Sequence, residues 1–103
     1  MPANRRTTEP TALTWLFNFV RPFGVRVTST YGGVHVATSW HYEYRAIDVT
    51  GTAQEMRRVH MAALRHPDWF KEAFYDPSGR YVKNGHIQQG HVGGHNDHVH
   101  LAR

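Results

Sequence analysis

The sequence predicts an α+β fold: a small, mostly antiparallel sheet with two helices on one face and the other face left open for a site. Three observations predict it. Two segments repeat apolar residues at spacings of three and four, the period of a helix with one buried face. Other short segments alternate and are rich in β-branched residues, as strands are. Turn residues separate them, notably Asp76-Pro77-Ser78-Gly79 and Asn84-Gly85, and short turns join antiparallel neighbours.

Residues 1–8 are polar and are expected to form a flexible N-terminus, with residues 9–103 as a single domain. Glu9 and Pro10 suit a helix start, and Leu13, Leu16, Phe17 and Val20 give the first helix its apolar stripe before Pro22 and Gly24 stop it. Val25 to Thr30 alternates as a strand, Tyr31-Gly32-Gly33-Val34 opens a loop that carries His35 to His41, and a second strand holds residues 45–50. Gly51 ends that strand. Thr52-Ala53-Gln54-Glu55 has the form of a capping box, and Met56, Val59, Ala63 and Leu64 line one face of the helix that follows. His60 near that face and His66 near the helix end read as structural. Trp69, Phe70, Phe74 and Tyr75 are expected to pack under the sheet, and Tyr75 and Tyr81 to flank a hairpin. Residues 86–95, including the solvent-facing His86 and His91, read as a Gly-rich loop into the last strand.

A chain of 103 residues can bury roughly two-thirds of its unfolded surface without disulfides, and with no cysteine it has none. No apolar run approaches a membrane span, and the N-terminus lacks the apolar core of a signal peptide. The net charge of +4 favours contact with a polyanion: nucleic acid, an anionic membrane or an acidic cell wall. Arg5-Arg6, Arg57-Arg58 and Arg65 are too scattered to form a nucleic-acid patch.

The chemistry concentrates near the C-terminus, in Gly93-Gly94-His95-Asn96-Asp97-His98-Val99-His100. On a strand His98 and His100 share one face, and Val99 and Leu101 the other. Imidazole is the commonest side-chain metal ligand. Asp48, between Ile47 and Val49, is costly to bury unless something positive meets it. His41, Asp48 and His100 therefore form a candidate set of three nitrogen and oxygen donors, which leaves a divalent metal an open position for water. On a regular strand Asp97 would point away from His98 and His100. It reaches the same side only if the backbone is still turning out of the Gly93-Gly94 loop.

Ser39-Trp40-His41-Tyr42-Glu43-Tyr44-Arg45-Ala46-Ile47-Asp48, with His98-Val99-His100, resembles the S-x-H-x-x-G-x-A-x-D … H-x-H signature of the zinc D-Ala-D-Ala carboxypeptidase and hedgehog-like group. That group includes L-alanyl-D-glutamate peptidases and many phage endolysins. The likeness spans residues 25–102, and the flanking segments resemble an endolysin or tape-measure branch from phages of Gram-positive bacteria. The resemblance implies Zn(2+) held by His41, Asp48 and His100, a catalytic carboxylate at Asp97, and a histidine near the reacting water at His98. Tyr44 departs from the pattern, where the group usually has Gly. The upstream arginine of many members has no clean match, leaving Arg26, His35 or Arg45 to hold the substrate, with His95 as a candidate oxyanion donor.

The expected function is a zinc metallopeptidase that hydrolyses peptide bonds in peptidoglycan stem or cross-link peptides. Zinc lowers the pKa of its bound water to about 7. The general base is Asp97 or, failing it, His98. Such an enzyme would work as a monomer, made in the host cytoplasm and released to the bacterial wall by another factor. Two other classes compete: a metal-binding module without turnover, and a metal nuclease of the His-Asn-His type suggested by His95-Asn96. The nuclease reading lacks a helix after the second motif strand to bring a further ligand.

Overall fold

The structure, a computed structural model, describes residues 9–30 and 45–103. Eight regular elements follow in order: α1 (Glu9–Val20), β1 (Arg26–Ser29), β2 (Ala46–Thr50), α2 (Ala53–Arg65), β3 (Glu72–Phe74), β4 (Arg80–Lys83), β5 (His86–Gln89) and β6 (Val99–Ala102). Short 3-10 turns at Arg21–Phe23, Pro67–Trp69 and Asp76–Ser78 link them. The six strands form one sheet in the order β1-β2-β6-β3-β4-β5, and every neighbouring pair is antiparallel. The fold is therefore α+β, with the last strand near the middle of the sheet.

Period-two alternation decides what each face carries. Ile47 pairs with Leu101, which pairs with Ala73, which pairs with Val82. This row is fully buried, and with Val49 and Val99 it meets Leu16 and Val20 of α1 and Met56, Val59, Ala63 and Leu64 of α2. Both helices thus pack on one face. α1 adds an aromatic flank: Trp15 stacks on Phe19 at 5.4 Å and meets Phe70 edge-on at 5.6 Å. α2 starts on a complete capping box, with Thr52 Oγ1 accepting from the Glu55 amide at 3.0 Å and Glu55 Oε1 accepting from the Thr52 amide at 2.9 Å. Inside this core His60 is fully buried, and its Nε2–H donates to the Ala73 carbonyl at 3.0 Å. Burial holds the His60 imidazole below its ordinary pKa. His66 stacks on Trp69 at 3.8 Å.

Two expectations change. Residues 86–95 are not loop throughout, because His86–Gln89 forms β5. Asn84 and Gly85 take left-handed backbone angles (φ 52° and 81°), the two-residue turn that folds β5 back onto β4. Every residue of β5 is exposed, so the turn and the ladder form it rather than an apolar stripe. The second change concerns the aromatic residues. Phe70 and Tyr75 lie in the core, but Trp69 is 40% exposed and Phe74 sits on the opposite face of the sheet from Ala73. Among the described residues no helix is long and apolar enough to cross a membrane.

Candidate functional site

The face of the sheet away from the helices carries the polar cluster, and strand register assembles it. Asp48 on β2 lies directly opposite His100 on β6, and His100 lies directly opposite Phe74 on β3. Glu72, two residues before Phe74, shares the face and reaches His100 diagonally. His100 Nδ1 is 3.1 Å from Asp48 Oδ1, and its Nε2 is 2.7 Å from Glu72 Oε1. The Phe74 ring lies over the His100 ring, centroids 5.2 Å apart and planes 21° apart, which fixes the imidazole plane. Lys83 reaches the second Glu72 oxygen at 3.4 Å.

Electrostatics follow from this sandwich. Burial alone would lower the His100 pKa, but the hydrogen bonds and charges of Asp48 and Glu72 outweigh it and raise the value above the ordinary imidazole range. For Glu72, burial pushes upward, and the hydrogen bond to His100 with the nearby charges of His100 and Lys83 brings the pKa below its usual value. Both ring nitrogens of His100 face carboxylate oxygens. A neutral imidazole has only one N–H, so this arrangement calls for a positive charge, either a second proton or a cation on one side of the ring. The 3.1 Å separation of Asp48 Oδ1 and His100 Nδ1 suits two donors that each reach zinc at about 2.0–2.2 Å. These two residues therefore fit a divalent metal. Among the described residues no group of three or more His, Cys, Asp or Glu side chains is arranged to hold one. His41, the expected third ligand, lies outside the described residues, as do His35 and Tyr44.

The segment before β6 brings two more imidazoles. Gly93 and Gly94 both have positive φ (98° and 75°), backbone that side-chain-bearing residues rarely adopt. Asp76 holds this turn. Its carboxylate accepts the amides of Val92 (3.0 Å), Gly93 (3.2 Å) and His95 (3.0 Å), and its own amide donates to the His95 carbonyl at 2.9 Å. Burial pushes the Asp76 pKa up, but the three amides win and hold it below the usual value. The His95 ring is thereby set 4.9 Å from His98 and 5.9 Å from His100, centroid to centroid. His95 Nδ1–H donates to the Gly93 carbonyl at 2.7 Å. Burial, followed by the neighbouring imidazoles against the Gly93 bond, keeps the His95 pKa below its ordinary value.

Asp97 lies in the bend before β6, not on the strand. Its side chain is 93% exposed and accepts from His98 Nδ1 at 2.9 Å, while its carbonyl accepts from the Thr50 hydroxyl at 3.0 Å. The hydrogen bond to His98 lowers the Asp97 pKa. Arg45 lies at the other end of β2, where its Nε donates to the Arg103 carbonyl at 2.9 Å. Arg103 in turn lies over Trp15 at 3.9 Å, on the helix side. Arg57, Arg58 and Arg65 line an open hollow along α2 with Phe23 and Met61, and none of the clustered histidines borders it.

The structure thus brings together Asp48, His95, His98 and His100 of the expected residues, with Asp97 on the rim, and leaves Arg45 apart. It adds Glu72, Phe74 and Asp76. From sequence, Phe74 reads as core, Asp76 as a turn residue and Glu72 carries no signal; cross-strand register reveals Glu72 and Phe74, and the amides of Val92, Gly93 and His95 reveal Asp76. Family models, curated proteins and solved structures were all compared with the chain, and none matches it.

Proposed function

We propose that this chain is a zinc peptidase acting on peptidoglycan stem or cross-link peptides. The observation that carries the reading is the meeting of Asp48 and His100, 52 residues apart in sequence, at 3.1 Å on the open face of the sheet. Asp48 and His100, with His41, would hold the metal. When bound, zinc would supply a nucleophile by lowering the pKa of a water and would polarise the scissile carbonyl.

The remaining work falls to the chain's own side chains. The Asp97–His98 hydrogen bond supports His98 as the general base and Asp97 as its positioning carboxylate. With Nδ1–H donated to Asp97, the lone pair of His98 sits on Nε2, free to take a proton. We place His98 ahead of Asp97 as the base, on the ground that the Asp97 carboxylate accepts the His98 hydrogen bond and is turned to solvent. His95, with its Nδ1–H held by Gly93 and its pKa lowered, stays neutral near pH 7 and offers a second polar edge beside the substrate. The net charge of +4 favours residence on an anionic wall.

The test is metal analysis of the wild type beside His41→Ala, Asp48→Ala and His100→Ala, followed by mass spectrometry of digested muropeptides. Each ligand change is expected to lose the metal and the cleavage. His98→Ala is expected to keep the metal and lose roughly 10²–10⁴-fold in rate. Metal retained after Asp48→Ala overturns the site. One equivalent of zinc with no peptide release turns the reading to a metal-binding module without turnover.

A further inference from the structure

The carboxylate of Glu72 is the part of this cluster that the proposed metal set does not use. It cannot share an ion with Asp48, because the two carboxylates hold opposite nitrogens of one imidazole. Its bond to His100 Nε2 is the shorter of the two, 2.7 Å against 3.1 Å. The Glu72 side chain is 15% exposed and is itself held, its second oxygen facing Lys83 at 3.4 Å. Phe74, on the same short strand, lies across the ring of His100. Strand β3 therefore presents two groups to one imidazole: an acceptor for its outer nitrogen and a flat surface for its face.

We propose that Glu72 is the positioning residue of the metal centre. It takes the Nε2 proton of His100, selects the tautomer with the lone pair on Nδ1, and so aims that lone pair at the position shared with Asp48. This rests on the zinc reading above and adds to it the residue that sets ligand tautomer and orientation. A carboxylate behind a ligating imidazole makes it a more basic donor, and losing such a partner typically weakens metal binding 10–100-fold. Lys83 faces the second oxygen of this carboxylate at 3.4 Å and helps to hold it in place, contributing little because it is half exposed.

The experiment titrates Zn(2+) against a competing chelator for wild type, Glu72→Gln and Glu72→Ala, with thermal unfolding of each metal-free protein as a check on folding. Histidine ¹⁵N–¹H correlation spectra of the zinc-loaded forms report the tautomer of His100. Wild type is expected to show the proton on Nε2. Glu72→Ala should bind zinc 10–100-fold more weakly and lose that single-tautomer pattern. Glu72→Gln keeps an acceptor oxygen, so it should keep the tautomer while losing part of the affinity. If the wild type binds no zinc, the metal reading fails first. If wild type binds zinc and both variants match it in affinity and tautomer, Glu72 has no positioning role. If Glu72→Ala does not fold, Glu72→Gln decides: affinity and Nε2 shift both equal to wild type overturn the proposal.

Discussion

Replacing Asp76 with alanine should unfasten the turn that carries His95. The wild-type carboxylate accepts three backbone amides, from Val92, Gly93 and His95, and is 9% exposed. A buried hydrogen bond to a charged acceptor contributes about 1.5–3 kcal/mol. Here Val92 and Gly93 are exposed, so water replaces part of what is lost, and about 1 kcal/mol per bond is the better figure. Asp76→Ala should therefore cost about 3 kcal/mol at pH 7, lowering the urea midpoint by roughly 1–3 M for a domain of this size. The pH dependence has a definite sign. Because the folded pKa lies below the ordinary 3.8, the stabilisation is fully present above that value and disappears as pH falls through the folded value. The deficit of the variant should thus be constant from pH 7 to pH 5 and shrink in stronger acid. A loss below about 1 kcal/mol at pH 7, or a deficit that does not change in acid, would refute the reasoning.

His60 should make stability fall on mild acidification. Its buried ring resists protonation, so between pH 6.5 and its lower folded value only the unfolded chain binds the proton, and stability drops by up to about 1.4 kcal/mol per pH unit. His60→Leu should flatten the profile between pH 7 and pH 5, and equal slopes in the two proteins would sink the claim. Thr52→Ala removes one arm of the capping box and should cost about 1 kcal/mol in urea unfolding, while a change near zero would mean the α2 start is held by packing alone.

The parts of the fold legible in the sequence are those with a local cause. The α2 capping box, the apolar positions Met56, Val59, Ala63 and Leu64, and the Asn84-Gly85 turn all lie where the sequence places them. The strand β5 escaped because nothing in His86-Ile87-Gln88-Gln89 alternates strongly, and its pairing is imposed by the turn before it. Phe74 escaped because Ala73, Phe74 and Tyr75 form an unbroken apolar run that gives no phase for the alternation. Asp48 and His100 were singled out, with His41, from chemistry alone, and the register of β2 against β6 brings the first two together. Glu72 was not, because its role depends on β6 lying beside β3, and no local signal in either segment announces that pairing.

The position of β6 between β2 and β3 also governs when the protein can become whole. During synthesis the two flanking halves of the sheet emerge with nothing to join them, and each exposes an unpaired edge until the final strand arrives. Closure then needs pairings that reach back more than fifty residues to Ile47 and almost thirty to Ala73, a slow kind of step. The same late strand carries His100, so a nascent chain on the ribosome has no assembled Asp48–His100 pair until β6 has cleared the exit tunnel and docked beside β2.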